Sequence, residues 1–222
     1  MSQKILLIVL ILILSFVPLS SADAIFTNDL KVHDRSIDFT INEAYSGIDA
    51  EAFRLSLDTD NNSIVSEQEV EAFVDEFKRN STGQYLGYVL IDNGNTVLSL
   101  DSFDMQLSGA EGNVNTSEIK VTANIIYGVP VSLEDGKHSI WILGHPAIEK
   151  MSISFPSGIV VKSIDGIDEL QTSCDSGRQL FEGRSGIRSF IVDDQQTFEY
   201  AVMIETGRSK FIADLSRFPS LF

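Results

Sequence analysis

Short runs in which apolar and polar residues alternate recur along most of this chain, and that period of two is the feature that most narrows its fold. Leu30 and Val32 begin the pattern, and Ile37, Phe39 and Ile41 continue it with Ser36, Asp38 and Thr40 between them. Ile119, Val121, Ala123, Ile125 and Tyr127 alternate along a further run. Side chains of a strand point to opposite faces in turn, so such runs read as strands with one face buried. Turn signals separate them. Asn93-Gly94 lies between Tyr88–Asp92 and Asn95–Ser99, and Asp135-Gly136 between Pro130–Leu133 and Lys137–Ile142; Pro156-Ser157-Gly158 lies between Met151–Phe155 and Ile159–Val161. Each is read as a hairpin, because such pairs supply the positive φ that tight turns require. Ile187–Val192 and Phe198–Ile204 form a fourth expected pair around Asp193, Asp194, Gln195 and Gln196. The expectation is a mainly β chain: an antiparallel β-sandwich-like domain.

One stretch breaks the period. Ser46, Gly47 and Asp49 interrupt the strands, and Ala50–Leu57, free of glycine and proline, reads as a short helix. Val70, Phe73, Val74 and Phe77 then recur at i, i+3, i+4 and i+7, the single apolar stripe of a second helix ending near Asn80. Between the helices runs Asp58-Thr59-Asp60-Asn61-Asn62-Ser63-Ile64-Val65-Ser66-Glu67-Gln68-Glu69. Oxygen-bearing side chains fall at loop positions 1 (Asp58), 3 (Asp60), 5 (Asn62), 9 (Ser66) and 12 (Glu69), with the backbone carbonyl of Ile64 at position 7. That spacing wraps a hard cation in oxygen, and Ca²⁺ is the ion it suits. Ser66-Glu67-Gln68-Glu69 is also a capping box, which a metal-free turn before a helix would carry equally well.

Residues 50–77 resemble a single EF-hand, helix, twelve-residue loop and helix, over about an eighth of the chain. Val65 stands at the eighth loop position, where the family places an aliphatic residue that pairs in a short β bridge. Two residues depart from the pattern: Ser63 replaces the turn glycine, and Arg54 occupies a position usually apolar in the entering helix. The resemblance implies calcium held by Asp58, Asp60, Asn62, Ile64, Ser66 and Glu69, and the sequence contains no second loop of the kind to couple with it. Three carboxylates and an imperfect turn imply an affinity on the order of 10⁻⁴ to 10⁻³ M, suited to holding structure rather than to signalling.

The N-terminus bears Lys4, an apolar run from Ile5 to Leu14, and then Ala22-Asp23-Ala24, the layout of a signal peptide over residues 1–24. The reading is therefore an exported protein, secreted or held at the cell envelope, whose residues 25–222 form one β-rich domain. The helix-loop-helix is inserted at about 49–80, with a boundary near 80–85 as the alternative partition. No later run is long and apolar enough to span a bilayer as a helix. A net charge of −16 opposes nucleic acid as a partner, since phosphate is bound by Lys and Arg. With one cysteine, Cys174, the chain has no internal disulfide, so a bound ion would matter more to the fold.

Neither His33, His138 and His145 nor the acid pairs Asp101/Asp104, Asp165/Asp168 and Asp193/Asp194 have the spacing of a metal or nucleophile motif. Sequons at Asn61, Asn80 and Asn115 are compatible with glycosylation. The favoured reading is a non-enzymatic calcium-binding protein with a structural, binding or adhesion role at the cell surface, its ligand an unidentified protein or glycan. A secreted, glycan-acting hydrolase stabilised by the same loop is the alternative, and a degenerate, metal-free loop in an envelope protein a second one.

Overall fold

The computed structural model describes residues 24–116 and 118–208. The expected leader, apart from Ala24, and the apolar tail Phe211–Phe222 lie outside them. Over the described residues the chain is mainly β, with two α-helices and sheets that are antiparallel at all but one pairing. The larger sheet has seven strands. Its order is β11 (Ile167–Asp175), β12 (Arg178–Ser185), β9 (Ile148–Pro156), β1 (Ala24–Val32), β2 (Ser36–Ser46), β7 (Glu118–Gly128) and β5 (Ser99–Ser108). A second sheet contains β10 (Ile159–Asp165), β14 (Gln195–Arg208), β8 (Ser139–Leu143) and β4 (Val89–Ile91), with β13 (Ile187–Val192) paired to β14 beyond that path. Within the larger sheet β1 pairs β9 in parallel, against the all-antiparallel expectation.

Register explains the core. Phe181, Ile153, Leu30, Phe39, Ile125 and Phe103 stand side by side across six strands of the larger sheet. Ile91, Ile140, Ile204 and Ile164 form the matching row across the second. Both rows belong to one hydrophobic cluster, in which Leu30, Ile37, Ile153 and Phe155 are fully buried. A one-residue slip of any of these strands would turn its apolar set outward.

The helices, α1 (Gly47–Leu57) and α2 (Glu67–Ser81), follow β2 and precede β5. They cover the same face of the larger sheet as the second sheet does. Along β7, Ala123, Ile125 and Tyr127 join the shared core, while Ile119 and Val121, on the same side, pack with Ala50, Leu57, Val65 and Met105 in a second cluster. Phe77 and Phe103, whose rings stack at 6.2 Å, touch both. The helix pair thus takes over as the cover of the sheet where the second sheet stops.

Three expected hairpins are corrected. Asp92, Asn93 and Gly94 do turn through positive φ, and Ile91 and Thr96 form a single antiparallel bridge across the turn, but no ladder follows: β4 pairs with β8 and the next strand, β5, joins the other sheet. Gly136 likewise has φ 110°, but Pro130–Leu133 is not a strand, and Leu133 instead donates its N–H to the Asp34 carbonyl. Pro156–Gly158 carries the chain from β9 in one sheet to β10 in the other. The Asp193-Asp194 turn does join paired strands, β13 and β14.

Candidate metal centre

The segment from Asp58 to Ser66 leaves α1 and enters α2 as a tightly hydrogen-bonded loop. Asp58 is nearly buried; one of its oxygens accepts the Asn62 N–H at 3.1 Å and the other the Ser63 N–H at 2.9 Å. Asp60 accepts from the Asn62 backbone at 3.1 Å and from its amide Nδ2 at 2.8 Å. The Asn62 Oδ1 in turn accepts the Ile64 N–H at 2.7 Å. Ser63 holds φ 66° and Asn61 φ 59°, so the sharp turn that glycine normally makes is made here by serine.

Glu69 closes the loop from the far side. Its Oε2 accepts the N–H and hydroxyl of Ser66, both at 2.9 Å, and the Ser66 Oγ accepts the Glu69 N–H at 3.3 Å, a reciprocal capping box. Its Oε1 accepts the N–H and hydroxyl of Thr59 at 2.7 and 2.8 Å. The Ser66 backbone donor, then the Thr59 and Ser66 hydroxyls, hold the Glu69 carboxyl down at about 2, well below the usual range. The result brings one carboxylate oxygen each from Asp58, Asp60 and Glu69 within 4.8 Å of one another. Among the described residues no other group of three or more histidine, cysteine or acidic side chains gathers so closely. Asn62 and Ser66 adjoin this group through the bonds above, and Ile64 lies in the two-residue strand β3 (Ile64–Val65).

Carboxylate oxygens have two lone pairs each, so an oxygen accepting one N–H can still coordinate a cation. Asp58 is already in that state. Glu69 Oε1 is more heavily engaged, and a bidentate grip on an ion would displace or share the Thr59 donors. The carboxylate that would close on the metal is the one that closes the loop without it.

Two further ties were not legible in the sequence. The bridge position, Val65, pairs with Gly112 and Ile64 with Asn113 in β6 (Gly112–Asn113), while Val114 donates its N–H to the Ser63 carbonyl at 3.2 Å. The loop is thus paired along one edge by a segment from elsewhere in the chain. Arg54 is the second tie. It is fully buried on the inward stripe of α1 with Ala50 and Leu57, and its guanidinium donates to the carbonyls of Gly109, Thr116 and, at 2.5 Å, Glu118. The same residue's carbonyl accepts the Asp58 N–H at 2.9 Å. Its spacing on the apolar stripe, four after Ala50 and three before Leu57, was the available signal.

The remaining candidates are scattered. His33 meets Asp38 at 3.0 Å on the surface, and His145 packs on Phe26 with burial pulling its imidazole below the ordinary value. His138 Nδ1 lies 3.0 Å from Asp92 and its Nε2 3.2 Å from the Asp135 carbonyl. Asp104 pairs with Lys78 at 3.0 Å, and Cys174 is exposed on the edge strand β11. A cleft of about 370 Å³ lined by Pro146, Asp168, Glu169, Arg184, Ser185, Ile187 and Tyr200 shares no residue with the loop.

No protein-family model matches the sequence, and no curated protein matches it. Among solved structures, the crystal structure of AChBP from Bulinus truncatus aligns over 92% of this chain and 97% of that one, at 9% identity and a TM-score of 0.23. At that score the likeness carries no argument about this chain.

Proposed function

We propose that this is an exported, calcium-binding protein of the cell surface, a β-sandwich whose EF-hand-like helix-loop-helix binds Ca²⁺ to hold its structure while the β surface does the binding or adhesion. The observation that supports it is the convergence of Asp58, Asp60 and Glu69 within 4.8 Å on a loop already turned left-handed at Ser63. The ties to β6 and, through Arg54, to residues 109–118 also favour a fastener over a sensor. A sensor has to open, and here the loop is paired to β6 while the helix that enters it is held by the Arg54 guanidinium.

The test compares thermal melts in chelator and in about 10 mM CaCl₂, at which a site of about 10⁻⁴ to 10⁻³ M contributes roughly 1.4 to 2.7 kcal/mol. For a domain of this size that is a rise in Tm of about 3 to 10 °C. Glu69→Gln keeps the capping interaction, since glutamine serves in a capping box, but offers the ion no carboxylate. Its melt in chelator should fall below the parent's, because the amide nitrogen cannot accept the donors that one carboxylate oxygen takes, and its calcium response should vanish. A parent protein without any rise, or a variant that rises as much, overturns the reading.

A further inference from the structure

The hairpin of β13 and β14 is built inside out. Register sets Ile187 opposite Tyr200, Ser189 opposite Phe198 and Ile191 opposite Gln196, so these residues share one face of a two-stranded ribbon. That face is open: Ile187 is 53% exposed, Ile191 76%, Phe198 63% and Tyr200 37%. The opposite face, which contains Arg188, Phe190, Thr197 and Glu199, is half-buried, with Val192 exposed near the tip. There Arg188 donates to Glu199 at 3.1 Å and lies 5.3 Å over the Phe190 ring, and Trp141 Nε1 donates to the same carboxylate at 3.0 Å. These contacts fix the ribbon's orientation, because a one-residue slip would expose the ion pair instead. An isolated two-stranded ribbon with its apolar side in water is marginal, and an apolar patch that is retained in that state marks a contact surface.

Two features specify the occupant. First, among the described residues β13 pairs with β14 alone, so its outer edge presents unpaired backbone donors and acceptors to an added strand. Second, the apolar face contains no charge but is bracketed by carboxylates. Asp193 and Asp194 form the turn at its tip, and at its base Ile187 and Tyr200 run into the cleft lined by Asp168 and Glu169, with Arg184 as the cation there. A second copy laid antiparallel along β13 would set its acidic tip against this acidic base, and the aspartates at the tip, on a chain of net charge −16, oppose burial in a lipid surface.

We propose that β13 and the outward face of its ribbon receive an extended segment of a partner protein, with apolar side chains at alternate positions and basic residues at both ends, docked as an additional strand. The apolar spacing, the open edge and the flanking carboxylates each demand one part of that description.

The probe is a fluorescein-labelled peptide of alternating valine and serine with paired lysines at each end, titrated with the full chain near physiological salt. Three controls accompany it: a scrambled peptide of equal charge, a peptide N-methylated at alternate amides, and the double variant Ile191→Ser, Phe198→Ser. Both changed positions are exposed, so the fold should tolerate them, which a thermal melt checks. Binding should weaken by about tenfold or more for each control, as expected when central anchors or strand hydrogen bonds are lost. The proposal is overturned if the peptide does not bind, or if the scrambled peptide binds equally well. It is also overturned if the variant instead abolishes self-association in sedimentation, or binding to vesicles of phosphatidylcholine and phosphatidylserine.

Discussion

Replacing Arg54 by alanine should destabilise this protein more than almost any other single change, and it should do so without any metal present. The side chain is fully buried, and its three hydrogen bonds run to the backbone carbonyls of Gly109, Thr116 and Glu118 rather than to a carboxylate. Hydrogen bonds to a charged group are worth about 1.5–3 kcal/mol each, against which stands the cost of taking the guanidinium out of water. That cost shows in the direction of its titration, which burial pulls below the usual arginine value. Truncation recovers the desolvation but leaves three carbonyls facing a hole, into which water can partly follow; at about 1–3 kcal/mol for each buried acceptor left unsatisfied, the net is about 3–5 kcal/mol. For a domain of this size that is a fall in Tm of roughly 6 to 20 °C. Denaturant melts in chelator measure it directly. Arg54→Met separates the contributions, since it keeps the stem's packing and removes the donors, and it should fall nearly as far as alanine. Hydrogen exchange should also quicken at the amides of residues 109–118. If Arg54→Ala unfolds within about 0.5 kcal/mol of the parent, or if methionine restores full stability, the guanidinium is not what ties α1 to that segment.

Two further changes probe other parts of the same reasoning. Ser63→Gly should stabilise by about 0.5–1 kcal/mol and tighten calcium binding, because glycine adopts the φ of 66° without the penalty a side chain incurs; a fall in stability would show that the serine is relaxed there. Burial raises the Glu43 carboxyl above its ordinary 4.5, an effect only partly opposed by the Tyr45 hydroxyl that it accepts at 2.5 Å. A carboxyl raised in the folded state binds its proton more tightly there, so the parent loses stability as pH climbs from the unfolded value through the folded one. Glu43→Gln keeps the acceptor and removes the charge; it should be the more stable protein at neutral pH and lose that advantage near pH 4.5, and an advantage independent of pH would refute the assignment.

What the sequence revealed and what it hid follow from the range of the interactions involved. The alternation in Ile119–Tyr127 and the stripe Val70–Phe77 report burial on one face, and β7 and α2 formed where they were expected. β5 is less legible because a bulge between Leu100 and Ser102 puts Leu100 out of step with Phe103, Met105 and Leu107, which cuts its alternating run to three residues. β11 was invisible for another reason: nearly all of it is exposed on both faces, so no periodicity was imposed on it. Asn93-Gly94 and Asp135-Gly136 are both turns, but the first closes only the single bridge Ile91–Thr96 and the second joins no pair of strands. Local chemistry sets φ, but the strand that a chain pairs with after turning is decided by the core. In the loop the three converging carboxylates were legible, being local in sequence. The β6 bridge and the carbonyls around Arg54 come from over forty residues away, and no local pattern encodes them.

The parallel pairing of β1 with β9 has a consequence in time. β1 lies in the interior of its sheet, yet one of its neighbours begins only at Ile148. As a ribosome produces the chain, β1, β2, β5 and β7 can assemble early, but the second backbone edge of β1, from Phe26 to Lys31, stays bare until Ile148–Pro156 has emerged. Closure of so distant a contact is intrinsically slow. The half-made chain is therefore the form in most need of escort, and a nascent protein stalled before β9 would offer a ready seam for any other strand to enter.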